Sequence, residues 1–196
     1  MEVPGLLLGA RPGVGALRNV QIAGVRATGA NAVGCAISGI PGHYIENVLL
    51  RDVSIQFAGG VTEAPDDVPE KPEAYPEYNM FGTLPAYGFF CRHVRNLRFD
   101  GVETRFAQDD VRPALVCHDV EDLELDGCRL EGRRSVVRLR EVRRALVRGC
   151  RTVGTAELFL HSERSAQVSL IGNDFTGVRQ VRRGEGVFEA ANRVRA

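Results

Sequence analysis

The sequence predicts an all-β fold, a single-stranded parallel β-helix of about six to seven coils. Three observations predict it: a nine-residue segment recurs six times, its apolar positions lie two residues apart, and no stretch has the apolar periodicity of a helix. The chain has 196 residues, of which 44% are hydrophobic. This apolar share is sufficient for the core of one solenoid domain over residues 1–196.

The six copies of the repeat align without gaps and occupy residues 17–25, 45–53, 94–102, 120–128, 142–150 and 165–173. Their fourth positions are Val20, Val48, Leu97, Leu123, Ala145 and Val168, and their sixth positions are Ile22, Leu50, Phe99, Leu125, Val147 and Leu170. Residues two apart share one face of a strand, so we expect each column to stack, coil over coil, inside the fold.

Two further columns of the repeat predict special backbone conformations. The third position is Asn or Asp in the first four copies, and the eighth is Gly in five of the six. Asn, Asp and Gly tolerate left-handed backbone, and stacked Asn amides can bond one another. We therefore expect a ladder of Asn19, Asn47 and Asn96, and at each eighth position either a left-handed residue or a site with no room for a side chain.

The five cysteines are predicted to be core residues. Cys128 and Cys150 occupy the ninth position of the repeat, which is Val in the first three copies. An odd number of cysteines without a Cys-x-x-Cys pair argues against a disulfide framework and against a zinc site. The sequence therefore predicts no metal and no other cofactor.

A leucine-rich repeat is the alternative fold for this pattern. Residues 120–130 match its consensus spacing of Leu and Cys. Most copies are, however, preceded by a second short apolar run, at residues 32–37, 87–91, 113–117, 135–139 and 158–160. Two or three short strands in every 22 to 28 residues are typical of a β-helix coil, although other all-β folds remain open.

One long excursion interrupts the repeat. Copies start 22 to 28 residues apart, except that the copies at residues 45 and 94 are separated by 49. The additional residues, 58–86, are rich in Pro, and residues 61–77 hold six acidic residues against Lys71 alone. Pro at this density cannot join a strand ladder, so residues 58–86 are predicted to leave it as a loop. Residues 178–196 are predicted to be the C-terminal end or cap.

The net charge of the chain is zero, with 25 basic and 25 acidic residues. This balance gives no support for a nucleic-acid or membrane partner, and no stretch is long and apolar enough to span a bilayer. The N-terminus lacks a basic n-region, so no signal peptide is predicted. Residues 129–196 carry 15 Arg against seven acids, either as a solvated surface or as a basic flank facing an acidic ligand.

Two features combine residue types used in catalysis, and neither predicts a catalytic site. Cys117, His118 and Asp119 are consecutive. Neighbours in a strand point to opposite faces, so we expect Cys117 inside and His118 outside. Asp109 and Asp110 are adjacent carboxylates near a Pro, a pattern more typical of a turn than of a glycosidase pair. No phosphate loop, metal motif or nucleophile elbow occurs.

Five stretches, Arg11-Pro-Gly and residues 17–29, 34–48, 80–94 and 110–120, carry a resemblance to one enzyme family. Together they are similar to the C-terminal part of bacterial polygalacturonase-like proteins, glycoside hydrolase family 28. The resemblance implies a right-handed parallel β-helix and an inverting hydrolysis of galacturonan or rhamnogalacturonan by aspartates. It implies a pectic polysaccharide or oligogalacturonide as partner, and a secreted or periplasmic full-length protein.

The chain departs from this family at the catalytic motifs. The family builds its active site from Asn-Thr-Asp, Asp-Asp, Gly-His-Gly and Arg-Ile-Lys. Here Asn-Thr-Asp, Gly-His-Gly and Arg-Ile-Lys are absent, Gly42-His43-Tyr44 differs from Gly-His-Gly, and Asp109-Asp110 lie downstream of the expected position. No catalytic residue is carried over. We expect a C-terminal β-helix portion of a pectin-directed glycoside hydrolase, inactive alone because the catalytic motifs lie upstream.

Substrate contacts are predicted at aromatic residues in and after the excursion, because aromatic faces stack on sugar rings. The candidates are Tyr75, Tyr78, Phe81 and Tyr87, together with His43. The same aromatic residues would alternatively pin the excursion onto the rod. The alternative function is a non-catalytic carbohydrate-binding or scaffold β-helix. Self-association through an exposed N-terminal coil is also expected, because unpaired strand edges are templates for association.

Overall fold

A computed structural model describes residues 15–72 and 79–194 of the chain. These residues form 17 strands and no helix, so the all-β prediction is confirmed. This part of the chain accordingly holds no helix that could cross a membrane. The strands are β1 (Arg18–Ala23), β2 (Arg26–Ala30), β3 (Cys35–Ser38), β4 (Ile45–Arg51), β5 (Ser54–Gly59), β6 (Phe89–Asp100), β7 (Glu103–Gln108), β8 (Leu115–Asp126), β9 (Arg129–Glu131), β10 (Ser135–Arg148), β11 (Arg151–Val153), β12 (Ala156–Glu163), β13 (Ala166–Ile171), β14 (Asp174–Phe175), β15 (Val178–Arg183), β16 (Val187–Ala190) and β17 (Arg193–Val194).

The strands pair in parallel and belong to two sheets. The larger sheet has the order β1-β4-β6-β8-β10-β12-β15, with β3 beside β6, β13 beside β10 and β16 beside β13. The smaller sheet has the order β17-β14-β11-β9-β7-β5-β2. Each copy of the repeat lies in the larger sheet and is followed by a strand of the smaller one. The chain therefore alternates between the two sheets along its length.

The fourth position of the repeat forms one continuous column in the larger sheet. In register order the column contains Val20, Val48, Leu97, Leu123, Ala145, Val168 and Val187. All seven side chains belong to, or pack against, the main apolar core. The predicted internal stacking is confirmed for the fourth position and, from Leu50 to Leu170, for the sixth, whereas Ile22 is 42% exposed because no described strand pairs with the other side of β1. Cys128 and Cys150 are core residues as well, as predicted.

The predicted Asn ladder is also present. Asn96 Nδ2 donates to Asn47 Oδ1 at 2.8 Å, and Asn47 Nδ2 donates to Asn19 Oδ1 at 2.9 Å. The φ angles of Asn19, Asn47 and Asn96 are 58°, 57° and 54°. This left-handed conformation suits Asn better than most residues. The eighth position is left-handed too, including Asp52 with φ of 54° and Gly101 with φ of 62°.

The excursion lies on the outer side of the larger sheet. Its described residues between β5 and β6 contain no strand. A second apolar cluster, separate from the main core, consists of Val68, Leu84, Ala86, Phe90 and Val116. Phe90 and Val116 belong to β6 and β8, and the other three belong to the excursion. Apolar burial therefore fixes the excursion over the outer face of these two strands.

A buried ion pair holds both ends of the excursion. Arg112 Nη2 lies 2.8 Å from Asp110 Oδ2, and both side chains are fully buried. Near the start of the excursion, the Val61 amide donates to Asp110 at 3.3 Å. Near its end, Arg112 donates to the Ala86 carbonyl at 3.4 Å, and Arg112 also reaches the Ala32 carbonyl at 2.7 Å. Four segments distant in sequence thus meet at one pair of charges.

Strand pairing continues to both ends of the described fold. Residues 178–194 continue both sheets, because β15 pairs with β12, β16 with β13 and β17 with β14. At the other end, β1 pairs with β4. Self-association was predicted for an exposed N-terminal coil, and residues 1–14 lie outside the described residues.

Candidate functional site

Two adjacent columns of side chains lie on the outward side of the larger sheet, and seven of their eleven residues are Arg, His or Glu. In register order, the first column contains Ala36, Phe90, Val116, Arg138, His161 and Arg183, and the second contains Ser38, Arg92, His118, Arg140 and Glu163. Alternate residues of a strand share a face, so both columns point away from the core that holds Cys91 and Cys117. We call these two columns the charged face.

The excursion places carboxylates on the charged face. Asp66 Oδ1 lies 3.1 Å from Arg138 Nη1, and Asp67 Oδ2 lies 3.2 Å from Arg140 Nη1. Asp67 Oδ2 also lies 3.1 Å from His118 Nδ1. The acids come from one segment and the bases from successive strands. A single run of the excursion therefore neutralises a row of stacked basic groups.

Arg92 is the most enclosed cation of the charged face, with 2% of its side chain exposed. Its guanidinium lies over the rings of Phe81 and Phe90, 5.4 Å and 5.3 Å from their centroids. Arg92 Nη1 donates to the Val68 carbonyl at 2.7 Å and lies 3.2 Å from Glu70 Oε1. A buried charge is costly unless it is paired, so Glu70 and the two rings are what make this position stable.

His93 connects the excursion to the neighbouring strand. His93 Nε2 lies 2.9 Å from Glu70 Oε1, and His93 Nδ1 lies 2.6 Å from Asp119 Oδ2. The Tyr44 hydroxyl donates to the same Asp119 oxygen at 2.6 Å. The ring of Tyr44 in turn lies under the Arg95 guanidinium, 4.1 Å from centroid to Cζ. This network joins β6, β8, the residue before β4 and the excursion.

The pKa shifts in this network follow from its contacts. Burial by itself would raise the pKa of Asp119, but the hydrogen bonds with Tyr44 and His93, and the charges of His93 and His118, lower it below its usual value. Burial raises the pKa of Tyr44 to about 12, with further contributions from the hydrogen bond and the charge of Asp119. Asp119 is therefore held as a carboxylate and Tyr44 as a neutral donor.

Three of the predicted substrate contacts lie apart from the charged face or outside the described residues. Tyr75 and Tyr78 fall within residues 73–78, which the structure does not describe. His43 is exposed and lies in a turn, where its backbone exchanges hydrogen bonds with Ile40 at 2.9 Å and 3.2 Å. The structure does not bring His43 together with the other candidates.

The two remaining candidates have structural contacts. Phe81 is half-buried and packs against the second apolar cluster and the guanidinium of Arg92. Tyr87 is completely buried, and its hydroxyl donates to the Glu131 carbonyl at 2.8 Å. Its ring packs edge-on against Phe106 at 5.1 Å, so it has no free face for a sugar. Both side chains fix the excursion and its return to the core.

The two features that sequence reasoning rejected as catalytic sites are separated in the structure. The Cys117 side chain lies in the core, whereas His118 lies on the charged face, as predicted. Asp110 is fully buried in its ion pair, whereas Asp109 is exposed and lies 2.8 Å from Arg133. The adjacent carboxylates of Asp109 and Asp110 therefore do not face a common space.

Sequence reasoning missed the network around Asp119. One sequence signal could have revealed this network, the residue immediately before each copy of the repeat. From the second copy onward it holds Tyr44, His93, Asp119, Glu141 and Arg164. The last four are left-handed, with φ between 47° and 55°. Polar side chains at equivalent positions stack just as apolar ones do, so this column marks a second line of outward contacts.

The chemistry available on the charged face is the binding of carboxylates. Guanidinium groups donate hydrogen bonds to carboxylates, singly or as two parallel bonds, and imidazole N–H groups donate as well. Arg138 and Arg140 each donate one such bond, to Asp66 at 3.1 Å and to Asp67 at 3.2 Å. Among residues 15–72 and 79–194, no group of three or more His, Cys, Asp or Glu side chains is arranged to hold a metal ion.

Comparison with known proteins gave no match. No protein-family model, no curated protein and no solved structure matches the chain.

Proposed function

We propose that this chain is the C-terminal β-helix portion of a pectin-directed glycoside hydrolase of the polygalacturonase-like kind, and that it binds pectic polyanion without cleaving it alone. The resemblance in residues 5–130 suggests the enzyme class. The charged face supplies the physical basis for binding, because it already holds carboxylates of the chain itself.

The proposed fold is a right-handed, single-stranded parallel β-helix of about six to seven coils. Parallel pairing in two sheets and the register of the repeat support it. Strands of the smaller sheet, not helices, follow each described copy, which favours a β-helix over a leucine-rich repeat. In such a solenoid each coil is stabilised by its neighbours, and the stacked outer residues form long continuous faces.

The single observation that carries the binding proposal is the pairing of Asp66 and Asp67 with Arg138 and Arg140. Galacturonan presents a carboxylate on each sugar, so it is chemically close to a row of Asp side chains. Successive coils lie about 4.8 Å apart, which repeats the basic groups along the face at short intervals. A linear polyanion therefore meets one basic group after another.

The contacts of Asp109, Asp110 and Asp119 support the proposal that the chain alone does not cleave its ligand. Inverting hydrolysis requires an acid and a base about 6.5–9.5 Å apart, with a water between them. Asp109 and Asp110 are each held by an Arg. Asp119 is held by Tyr44 and His93, which lower its pKa and so disfavour a role as an acid.

A scaffold without a glycan ligand is the second candidate, and one observation favours it. Several outward Arg residues of the larger sheet are already paired within the chain. Arg148 Nη2 lies 2.7 Å from Asp126 Oδ2, and Arg144 Nε lies 2.6 Å from Asp122 Oδ1. Paired Arg residues of this kind stabilise a stack of coils and leave little net charge for a ligand.

Affinity electrophoresis distinguishes the two candidates. We expect the native chain to be retarded in a gel that contains polygalacturonate and to migrate normally in a gel that contains neutral dextran. High salt should abolish the retardation, because screened charges attract weakly. Equal mobility in both gels would favour the scaffold. A reducing-end assay on polygalacturonate should show no turnover, and turnover that is lost on substituting a carboxylate would refute the non-cleaving role.

A further inference from the structure

A surface groove of about 580 Å³ lies where the charged face continues past the excursion. His161 follows Arg138 in the register of the first column, and Arg183 follows His161. The groove walls include Arg134, His161, Arg179 and Arg183, with Ser135 and Gln180 as uncharged polar neighbours. The groove therefore lies where the first column of the charged face continues across two further strands, β12 and β15.

The Arg residues of the groove lack the acidic partners that Arg138 and Arg140 have under the excursion. Within the described part of the chain, Arg134, Arg179 and Arg183 form no ion pair, and all three are exposed. Glu157 is the acidic residue among the groove-lining side chains. Three guanidinium groups against one carboxylate leave the groove with an excess of positive charge.

We infer that this groove is a binding site for an acidic oligosaccharide, with Arg134, Arg179 and Arg183 as ligands of its carboxylates. The site itself is argued from the groove and its charges, and the sugar nature of the ligand rests on the proposed function. Gln180 is exposed on the same wall; its Nε2 donates to the Arg182 carbonyl at 2.8 Å, and its Oε1 can accept a hydrogen bond from a sugar hydroxyl.

The excursion supports a carboxylate, rather than another anion, as the bound group. Asp66 binds Arg138 at the border of the groove, and 88% of the Asp66 side chain is exposed. Arg138 Nη2 also lies 3.3 Å from Glu163 Oε1. The last covered position of the column is therefore occupied by two carboxylates of the chain. Of the next two positions, Arg183 presents the same kind of donor to solvent, and His161 presents an imidazole.

His161 provides a direct signal of occupation. Burial lowers its pKa, Glu163 acts against this, and the charges of Arg138, Arg183 and Arg140 lower it further. His161 Nε2 lies 3.4 Å from Glu163 Oε1. A carboxylate bound in the groove offsets the Arg charges, so the pKa of His161 should rise on binding.

The test follows the imidazole resonances of the four His residues by NMR during titration of the full chain. The probes are trigalacturonate, the peptide triglutamate, neutral galactotriose and inorganic phosphate, at one ionic strength. We expect trigalacturonate and triglutamate to shift His161 and to raise its titration midpoint, and galactotriose to leave it unchanged. His43, far along the fold in the turn before β4, serves as an internal reference.

Two double variants with the same change in charge locate the site. Arg179→Gln with Arg183→Gln should weaken trigalacturonate binding about tenfold or more, because two charged ligands are lost. Arg143→Gln with Arg193→Gln is the matched control, since both residues are exposed, lie elsewhere on the fold and form no ion pair with the described residues. The control should bind as the wild type does.

The outcomes separate this inference from the proposed function. Trigalacturonate binding that leaves His161 unshifted, or that survives the groove variant, would overturn the groove and keep the pectin proposal. A response to triglutamate alone would support a carboxylate site and overturn the acidic sugar as its ligand. Phosphate binding as tight as trigalacturonate binding would overturn the preference for carboxylates.

Discussion

Asp110 and Arg112 form an ion pair in which neither side chain reaches solvent, at 2.8 Å between Oδ2 and Nη2. Residues from both ends of the excursion donate to or accept from this pair. Because the excursion brings the carboxylates to the charged face, the buried pair also positions the candidate site. Its removal should therefore affect both stability and the geometry of the face.

Arg112→Met should lower the free energy of unfolding by about 3–5 kcal/mol, because it leaves the Asp110 charge buried without a partner. Urea denaturation followed by circular dichroism measures this loss. Arg133→Met is the control, since Arg133 pairs with the exposed Asp109 and should cost about 1 kcal/mol or less. Adding Asp110→Asn to Arg112→Met should recover part of the loss, and no recovery would contradict the account.

Asn47→Ala should destabilise the fold by about 1–3 kcal/mol, because it breaks the amide ladder and puts Ala into a left-handed conformation. Asn47→Gly loses the same amide but accepts φ of 57° without strain. Thermal melts of the two variants separate the loss of the amide hydrogen bonds from the strain of a left-handed alanine. Glycine should cost clearly less than alanine, and equal losses would show that backbone conformation is unimportant there.

Leu97→Ala should cost about 2–5 kcal/mol, since the side chain is completely buried between its neighbours in the column. Leu17→Ala makes the same chemical change at a side chain that is 55% exposed, and should cost much less. Chemical denaturation of both variants checks the comparison. Similar losses at the two sites would mean that the internal column does not carry the stability of the stack.

The lowered pKa of Asp119 predicts a loss of stability in acid. A carboxyl group whose pKa is lower in the folded state stabilises the fold above its unfolded pKa, and this contribution is lost as the pH falls through the folded value. Asp119→Asn removes the charge and should cost about 1–2 kcal/mol at pH 7. The difference in unfolding free energy between wild type and variant should shrink as the pH is lowered below about 4.

A matched substitution tests whether this effect belongs to the network. Asp66→Asn also removes one carboxylate, but the Asp66 side chain is 88% exposed and should add little to stability at any pH. Urea unfolding of the wild type, Asp119→Asn and Asp66→Asn at pH 7, 5 and 3 gives the pH dependence of the unfolding free energy for each protein. A difference between wild type and Asp119→Asn that stays constant over this range would disprove the role of the Asp119 charge.

The repeating elements of this protein were available from the sequence alone. The column through Val20, Val48 and Leu97 and the Asn ladder depend on residue spacing, which is a local property of the chain. Strand periodicity decides which side chains point inward, and identical side chains at equal spacing then stack. The inward Cys117 and the outward His118 follow from the same rule.

The contacts that build the candidate site were decided only by the tertiary structure. Asp67 and Arg140 are 73 residues apart in the sequence, and no pattern in either segment predicts that the two residues pair. Tyr87, a candidate sugar contact whose alternative role was to pin the excursion, is buried, because the return of the excursion enters the core at this residue. The path of an irregular segment depends on many weak contacts summed over distant residues, so residue spacing could predict the columns but not what covers them.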